Sequence, residues 1–291
     1  MRQALPIDRG DETASGAVAE RIARAGSGRL ATSMIAVVEH IHRIILELRP
    51  TRAELREAIG YLTAIGDATT DNRQEWVLLA DLIGATALVE AINSRRPEGA
   101  TPNAPRGPFY RPDAPHLANG ANISLDGRGE PLSVKGRVVD LDERPIAGAV
   151  VETWQANGEG FFENQQPDDQ PDCNLRGVFT TDAKGEFDYL TVKPASYSVP
   201  ADGPAGKLLD ALDCSLRRPA NIHFIVSADG FEPITTQVFD RADAALIEDA
   251  LYSVRPNLLG DFKRTRRKAV PWSLAFTFVM ARAPKFSKGV S

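Results

Sequence analysis

The four histidines and two cysteines are the first places to look for chemistry, and their spacing separates them. Cys173 and Cys214 stand alone, with no Cys-x-x-Cys or Cys/His pattern, so no disulfide framework is implied and reduced thiols are expected. His40 and His42 sit two apart in a helical stretch and cannot face one another, which reads as packing. His116, like Asp113, falls in a Pro-rich loop and reads as a surface residue. His223 differs: it follows Asn221 by two positions in a segment patterned as a strand, and residues i and i+2 of a strand share one face. The two side chains therefore converge, directly after Arg218-Pro219-Ala220. A satisfied core or rim histidine is the plain alternative for His223, as packing or a hydrogen-bonded corner is for Tyr197 ahead of Pro200.

The elements that must position these residues follow from periodicity. From Met34 to Asn93 the apolar residues recur at three and four, the helical period. Ile35, Val38, Ile41, Ile44, Ile45 and Leu48 fall on one face, Pro50 stops that helix, and Thr51 with Glu54 forms a capping box for the next. A third helix is expected from Thr70 or Asp71, carrying Trp76, Leu79, Leu82, Ile83, Ala87 and Val89. Residues 1–33 read as a mobile arm, or as a weakly amphipathic first helix, ahead of a helical region over 34–100. Beyond a Pro- and Gly-dense linker the pattern changes to short alternating runs. Leu132–Asp140, Ala147–Gln155, Val178–Thr181, Glu186–Val192, Asn221–Ala228 and Thr235–Phe239 read as strands, with turns at 142–145 and 182–185. The expected class is α+β, a helical region followed by an antiparallel β-sandwich over 101–291.

The 291 residues are 43% hydrophobic and 25% charged with a net charge of -5, a globular composition without the basic excess that a nucleic-acid surface needs. The basic run 263–268 reads as a solvated strand edge or turn. No apolar run approaches the roughly 20 residues that cross a bilayer, and the first residues lack a secretory apolar core, so a cytoplasmic protein is expected.

GPFY from Gly107, GAVVETWQANGEGFFENQ, NLRGVFTTDAKGEF, SYSVPADGPAGKLL, RRPANIHFIVSADGF and TTQVF together resemble the intradiol ring-cleavage dioxygenases. TDNRQEWVLLADLIGATALVEAIN resembles the N-terminal region of their hydroxyquinol branch. The likeness runs over about residues 34–260, in the family's order and spacing. It implies a mononuclear Fe(III) held by two tyrosinates and two histidines, a small aromatic substrate, and a homodimer formed through the N-terminal helices. Fe(III) is a hard, highly charged ion that phenolates stabilise, with imidazoles completing a site that a catechol can enter.

Carried over position by position, Tyr197 and His223 match two of the metal ligands and make a partial metal site. Phe162 stands where the family has its other tyrosine, and Asn221 where it has the first histidine of His-x-His. Phenylalanine has no donor atom, and an amide oxygen is a weak ligand beside an imidazole. Glu163 is the one nearby carboxylate, but adjacent residues of an extended segment point opposite ways. Arg218 and Gln237 match groups that orient substrate, so the expected catalytic set is Tyr197, His223, Arg218 and Gln237. Pro108, Phe109 and Tyr110 match a loop lining the substrate pocket, with Phe162 and Asn221 also in its wall; Asp81 and Gly84 match positions at its mouth.

Three functions remain open at this point. The pocket performs altered, metal-independent acid/base chemistry on a catechol-like or polyhydroxylated aromatic. Alternatively, water, Asn221 or the diol completes a weaker ferric site for ring cleavage to a muconate or maleylacetate type product. In the third reading the chain is an inactive aromatic-binding or partner subunit.

Overall fold

The computed structural model describes residues 11–26, 28–70, 74–93, 96–107 and 109–283. The chain divides into two compact units, Met1–Thr63 and Ala64–Ser291.

Within the first unit, α1 (Asp11–Ala25) packs on α2 (Arg29–Leu48), so the stretch expected as a mobile arm contains a helix. Arg49 closes α2 in a left-handed conformation (φ 48°), its N–H donating to Ile45 O at 2.8 Å. The next helix, α3 (Arg52–Asp67), starts on the expected capping box: Thr51 N donates to Glu54 Oε2 at 2.7 Å and Glu54 N to Thr51 Oγ1 at 3.2 Å. No residue of α2 is buried; Met34, Val37, Ile41, Ile44, Ile45 and Leu48 are all exposed.

The second unit takes in the end of α3 and then α4 (Glu75–Leu82) and α5 (Ala85–Asn93), where the sequence pattern predicted a single helix. Gly84 is the reason. It takes φ +74° and its N–H bonds back to Asp81 O at 3.0 Å, which ends α4 and lets the chain restart.

The strands are β1 (Pro131–Asp140), β2 (Val150–Gln155), β3 (Arg176–Thr180), β4 (Glu186–Val192), β5 (Tyr197–Ser198), β6 (Arg217–Arg218), β7 (Asn221–Ser227), β8 (Ile234–Asp240), β9 (Leu259–Gly260), β10 (Lys263–Arg264) and β11 (Trp272–Met280). One sheet runs β10-β11-β1-β4, a second β3-β2-β7-β8-β9, and β5 pairs with β6 alone. Val134, Val138, Phe187, Tyr189 and Phe278 of the first sheet and Val151, Phe179, Ile222, Phe224 and Val238 of the second form one buried cluster, the core of a β-sandwich. Two pairings depart from the antiparallel expectation: β1 with β11 and β8 with β9 are parallel. β2 starts at Val150 rather than Ala147, because Gly148 (φ +73°) is still turning. A helix, α6 (Pro204–Ala211), also interrupts the run of strands, with Pro204 in its first turn. The basic run contributes β10, an exposed edge strand.

No described helix is long and apolar enough to cross a membrane.

Candidate active site

The β5–β6 ladder sets Tyr197 opposite Arg218, which brings a phenol and a guanidinium onto the same side of a two-stranded ribbon. Arg218 Nη1 donates to Tyr197 Oη at 3.1 Å, Nη2 to Gln237 Oε1 at 2.7 Å and Ser253 Oγ at 2.6 Å, and Nε to Asp249 Oδ1 at 3.1 Å. Gln237 is held from its other end, Nε2 donating to Pro105 O at 2.6 Å. Arg218 is only 1% exposed. Burial works against its charge, but Tyr197 and Asp249 outweigh that and raise its pKa. For Asp249, burial pushes the pKa up, yet the Arg218 charge and the Ser253 hydrogen bonds bring it below the usual carboxylate value.

His223 lies across the strands from Gln237 on β8 and from Trp154 on β2. Its ring stacks on Trp154 with centroids 4.9 Å apart and 16° between planes. Burial, then Arg218 and Arg176, lower its pKa well below the ordinary imidazole value, so it is neutral at pH 7. Among the described residues its buried Nδ1 has no hydrogen-bond partner.

Phe162 meets both retained residues. Its ring is 5.6 Å from Tyr197 and 6.0 Å from His223, edge-on to each, and stacks on Phe109 at 4.5 Å. Asn221 shares the β7 face of His223. Its Nδ2 donates to Pro219 O at 2.8 Å, while its buried Oδ1 has no partner among the described residues. Tyr197, His223, Phe162, Arg218 and Gln237 are thus joined by direct contacts, with Asn221 beside His223 on the same strand.

Tyr110 packs edge-on to Trp154 at 5.1 Å and donates to Glu152 Oε2 at 2.9 Å; burial and then Glu152 raise its pKa. Asp81 is buried with Oδ1 unpartnered, its pKa raised by burial against the Thr86 hydrogen bond and the charge of Arg218. A Cβ added to Gly84 would meet the Tyr252 ring at 3.4 Å, and no contact joins Gly84 to Tyr197 or His223. Pro108 lies outside the described residues. Glu163 is 3% exposed, and both its oxygens are taken by Arg176 at 2.6 Å, with Arg111 at 3.2 Å from one of them. It braces the chain beside Phe162 and has no oxygen free to replace a lost ligand.

The sequence pattern did not single out Trp154, Asp249 or Ser253. Trp154 had a signal, since strand register sets it beside His223. Asp249 and Ser253 come from a non-periodic stretch and had none.

These residues do not fit the four-donor ferric centre. Tyr197 offers a phenol, His223 a neutral imidazole and Asn221 an amide oxygen, while Phe162 offers hydrocarbon; a hard trivalent ion requires more anionic oxygen than this. Among the described residues no group of three or more His, Cys, Asp or Glu side chains could hold a metal instead. The arrangement is suited to taking a planar ring against Phe162, placing an oxygen near the Tyr197–Arg218 pair, and exchanging a proton with Tyr197 or His223.

Residues 106–282 match the protein family described as Dioxygenase, and residues 28–101 the one described as Catechol dioxygenase N terminus. A hydroxyquinol 1,2-dioxygenase of Rhizobium sp. is 42% identical over 282 residues, covering 94% of this chain and 96% of that protein. A 6-chlorohydroxyquinol 1,2-dioxygenase of Cupriavidus pinatubonensis is 40% identical over 264 residues, 91% of this chain and 95% of the other. Among solved structures, hydroxyquinol 1,2-dioxygenase from Pseudomonas putida superposes with a TM-score of 0.88 at 33% identity, covering 94% of this chain and 99% of that one.

Proposed function

The chain belongs to the intradiol dioxygenase family, and from that premise we propose that it is an enzyme acting on a catechol-like or polyhydroxylated aromatic by acid/base chemistry that does not use a four-ligand ferric centre. The observation that carries this reading is the division within one site. The hydrogen-bonding half, Tyr197, Arg218, Gln237 and neutral His223, is intact, while two metal-donor positions hold Phe162 and Asn221. Arg218 stabilises a phenolate next to Tyr197, and Tyr197 or His223 gives or takes a proton on the bound ring.

The test is anaerobic. Chelator-treated protein is incubated with hydroxyquinol and with catechol, and products are followed by absorbance and mass spectrometry beside iron analysis. Turnover without oxygen or iron, lost in Arg218→Met, supports the reading. Near one iron per chain, tyrosinate-to-iron colour and oxygen uptake matched to ring opening would overturn it.

That second outcome corresponds to iron-dependent ring cleavage, the activity that the family likeness implies. One observation favours it: Asn221 Oδ1 is an unpartnered carbonyl oxygen on the same strand face as His223, a third donor beside Tyr197 and His223. Saturable binding of these diols with neither activity would instead identify an aromatic-binding subunit. We also propose that α2 pairs with a second copy of the chain, because its apolar face is exposed over Met34, Val37, Ile41, Ile44 and Leu48.

A further inference from the structure

Asn221 carries information that neither the missing metal donor nor the family likeness supplies. An amide has a donating end and an accepting end, and which end faces a site is set by its hydrogen bonds. Here the choice is fixed: Pro219 O, 2.8 Å from Nδ2, accepts only from the N–H₂ end, because the flipped amide would press two carbonyl oxygens together. The end left over is Oδ1, an acceptor, in a side chain that is 2% exposed and with no partner for that oxygen. A buried acceptor left unpaired costs on the order of 1–3 kcal/mol, so a donor is what this position lacks.

Tyr197 has the opposite vacancy. Its oxygen accepts from Arg218 Nη1, and among the described residues nothing accepts its own O–H proton. The Nη2 and Nε donors of Arg218 go to Gln237, Ser253 and Asp249. The site therefore presents a donor beside a positive charge at Tyr197, which Phe162 links to His223 by ring contacts, and an acceptor at Asn221 on the strand face of His223.

We propose that Asn221 is a specificity-determining acceptor that makes the pocket select an ortho-dihydroxyarene as its monoanion, with one oxygen ionised toward Tyr197 and Arg218 and the other kept as a hydroxyl that donates to Asn221 Oδ1. A dianion would place a second negative oxygen against the amide carbonyl, which repels it. A ring bearing a single hydroxyl leaves Oδ1 unpaired. This rests on the pocket taking a dihydroxyarene, as proposed above.

The probe is 4-nitrocatechol, whose neutral, monoanionic and dianionic forms have distinct visible spectra, titrated into the full-length, chelator-treated protein at neutral pH. The expected result is saturable binding with the monoanion spectrum, and in Asn221→Leu binding weaker by about tenfold or more, the loss of one hydrogen bond to a charged or strongly polar partner. A dianion spectrum on the wild-type protein overturns the proposal while leaving the pocket reading intact. So does Asn221→Leu binding as tightly as wild type. The wild-type spectrum needs no variant, so the first arm holds even if Asn221→Leu fails to fold. Absence of saturable binding by any diol overturns the pocket reading itself.

Discussion

Restoring both substituted positions, Phe162→Tyr with Asn221→His, should create a ferric site and reverse the sign of a measurable stability change. Phe162 is 1% exposed and its ring contacts those of Tyr197 and His223, so a hydroxyl added to it is buried in the same cluster. Without metal this hydroxyl is buried beside apolar rings, and an unpaired hydroxyl costs about 1–3 kcal/mol. The apo double variant should therefore melt below wild type. With ferric ion the balance changes. Even an outer partner of a metal ligand is worth about 10- to 100-fold in affinity, so two ligands together should contribute at least about 10²- to 10⁴-fold, or roughly 3–5 kcal/mol. At a metal concentration about 1,000 times Kd, binding adds about 4 kcal/mol to stability. For a domain of this size each kcal/mol moves Tm by roughly 2–4 °C, giving an upward shift of about 8 °C or more. The assay is thermal melting with and without ferric citrate, read alongside the visible spectrum. Each single variant should show less than half the shift, since either alone still lacks a donor. A double variant that is folded by circular dichroism, colourless, and unmoved by ferric citrate would refute the assignment of these positions.

Three further outcomes follow from the same geometry. Asp249→Asn removes the charge partner of a 1%-exposed arginine and should cost about 3 kcal/mol in urea unfolding, the low end for a broken buried pair because Gln237, Ser253 and Tyr197 still bind Arg218; a loss under about 1 kcal/mol would contradict the role given to this pair. Because the folded-state pKa of Asp249 is depressed, its stabilisation is present above the unfolded carboxylate value and lost as pH falls below about 4, so wild type should lose stability on acidification more steeply than Asp249→Asn, and parallel pH profiles would count against it. Ile41→Glu with Ile44→Glu on the exposed face of α2 should convert a dimer to a monomer in light scattering, and an unchanged mass would remove α2 from the interface.

The site was legible in sequence where local geometry determines it. Asn221 and His223 share a face because a strand has period two, and that needs no knowledge of the rest of the chain. The capping box at Thr51 and Glu54 is likewise local. Tyr197 and Arg218 required more, a ribbon pairing residues 21 positions apart, which only the family likeness supplied. What stayed hidden was non-local or non-periodic. β11 lies parallel to β1, more than a hundred residues earlier in the chain, and nothing in Trp272–Met280 specifies its partner or direction. Glu163 looked like a spare carboxylate until Arg176, on a different strand, proved to hold both its oxygens. The pattern ran one helix through Gly84, whose positive φ divides it into two.

The Arg218 array serves the fold and the site together. A guanidinium this deeply buried is tolerated because Asp249 pairs with it and Gln237 and Ser253 hydrogen-bond it. Phe162 stacks on Phe109 beside it. The atoms that call for a ligand are those the fold leaves unsatisfied. Among the described residues, Asn221 Oδ1 and His223 Nδ1 are buried polar atoms without partners on one strand face, and nothing accepts from the Tyr197 hydroxyl. A site packed only for stability gains by closing such vacancies, since each costs free energy and a leucine at 221 would remove one. Their presence around Phe162 and Arg218 is the physical argument for a polar ligand there, one that brings a donor for Asn221 and an acceptor for Tyr197.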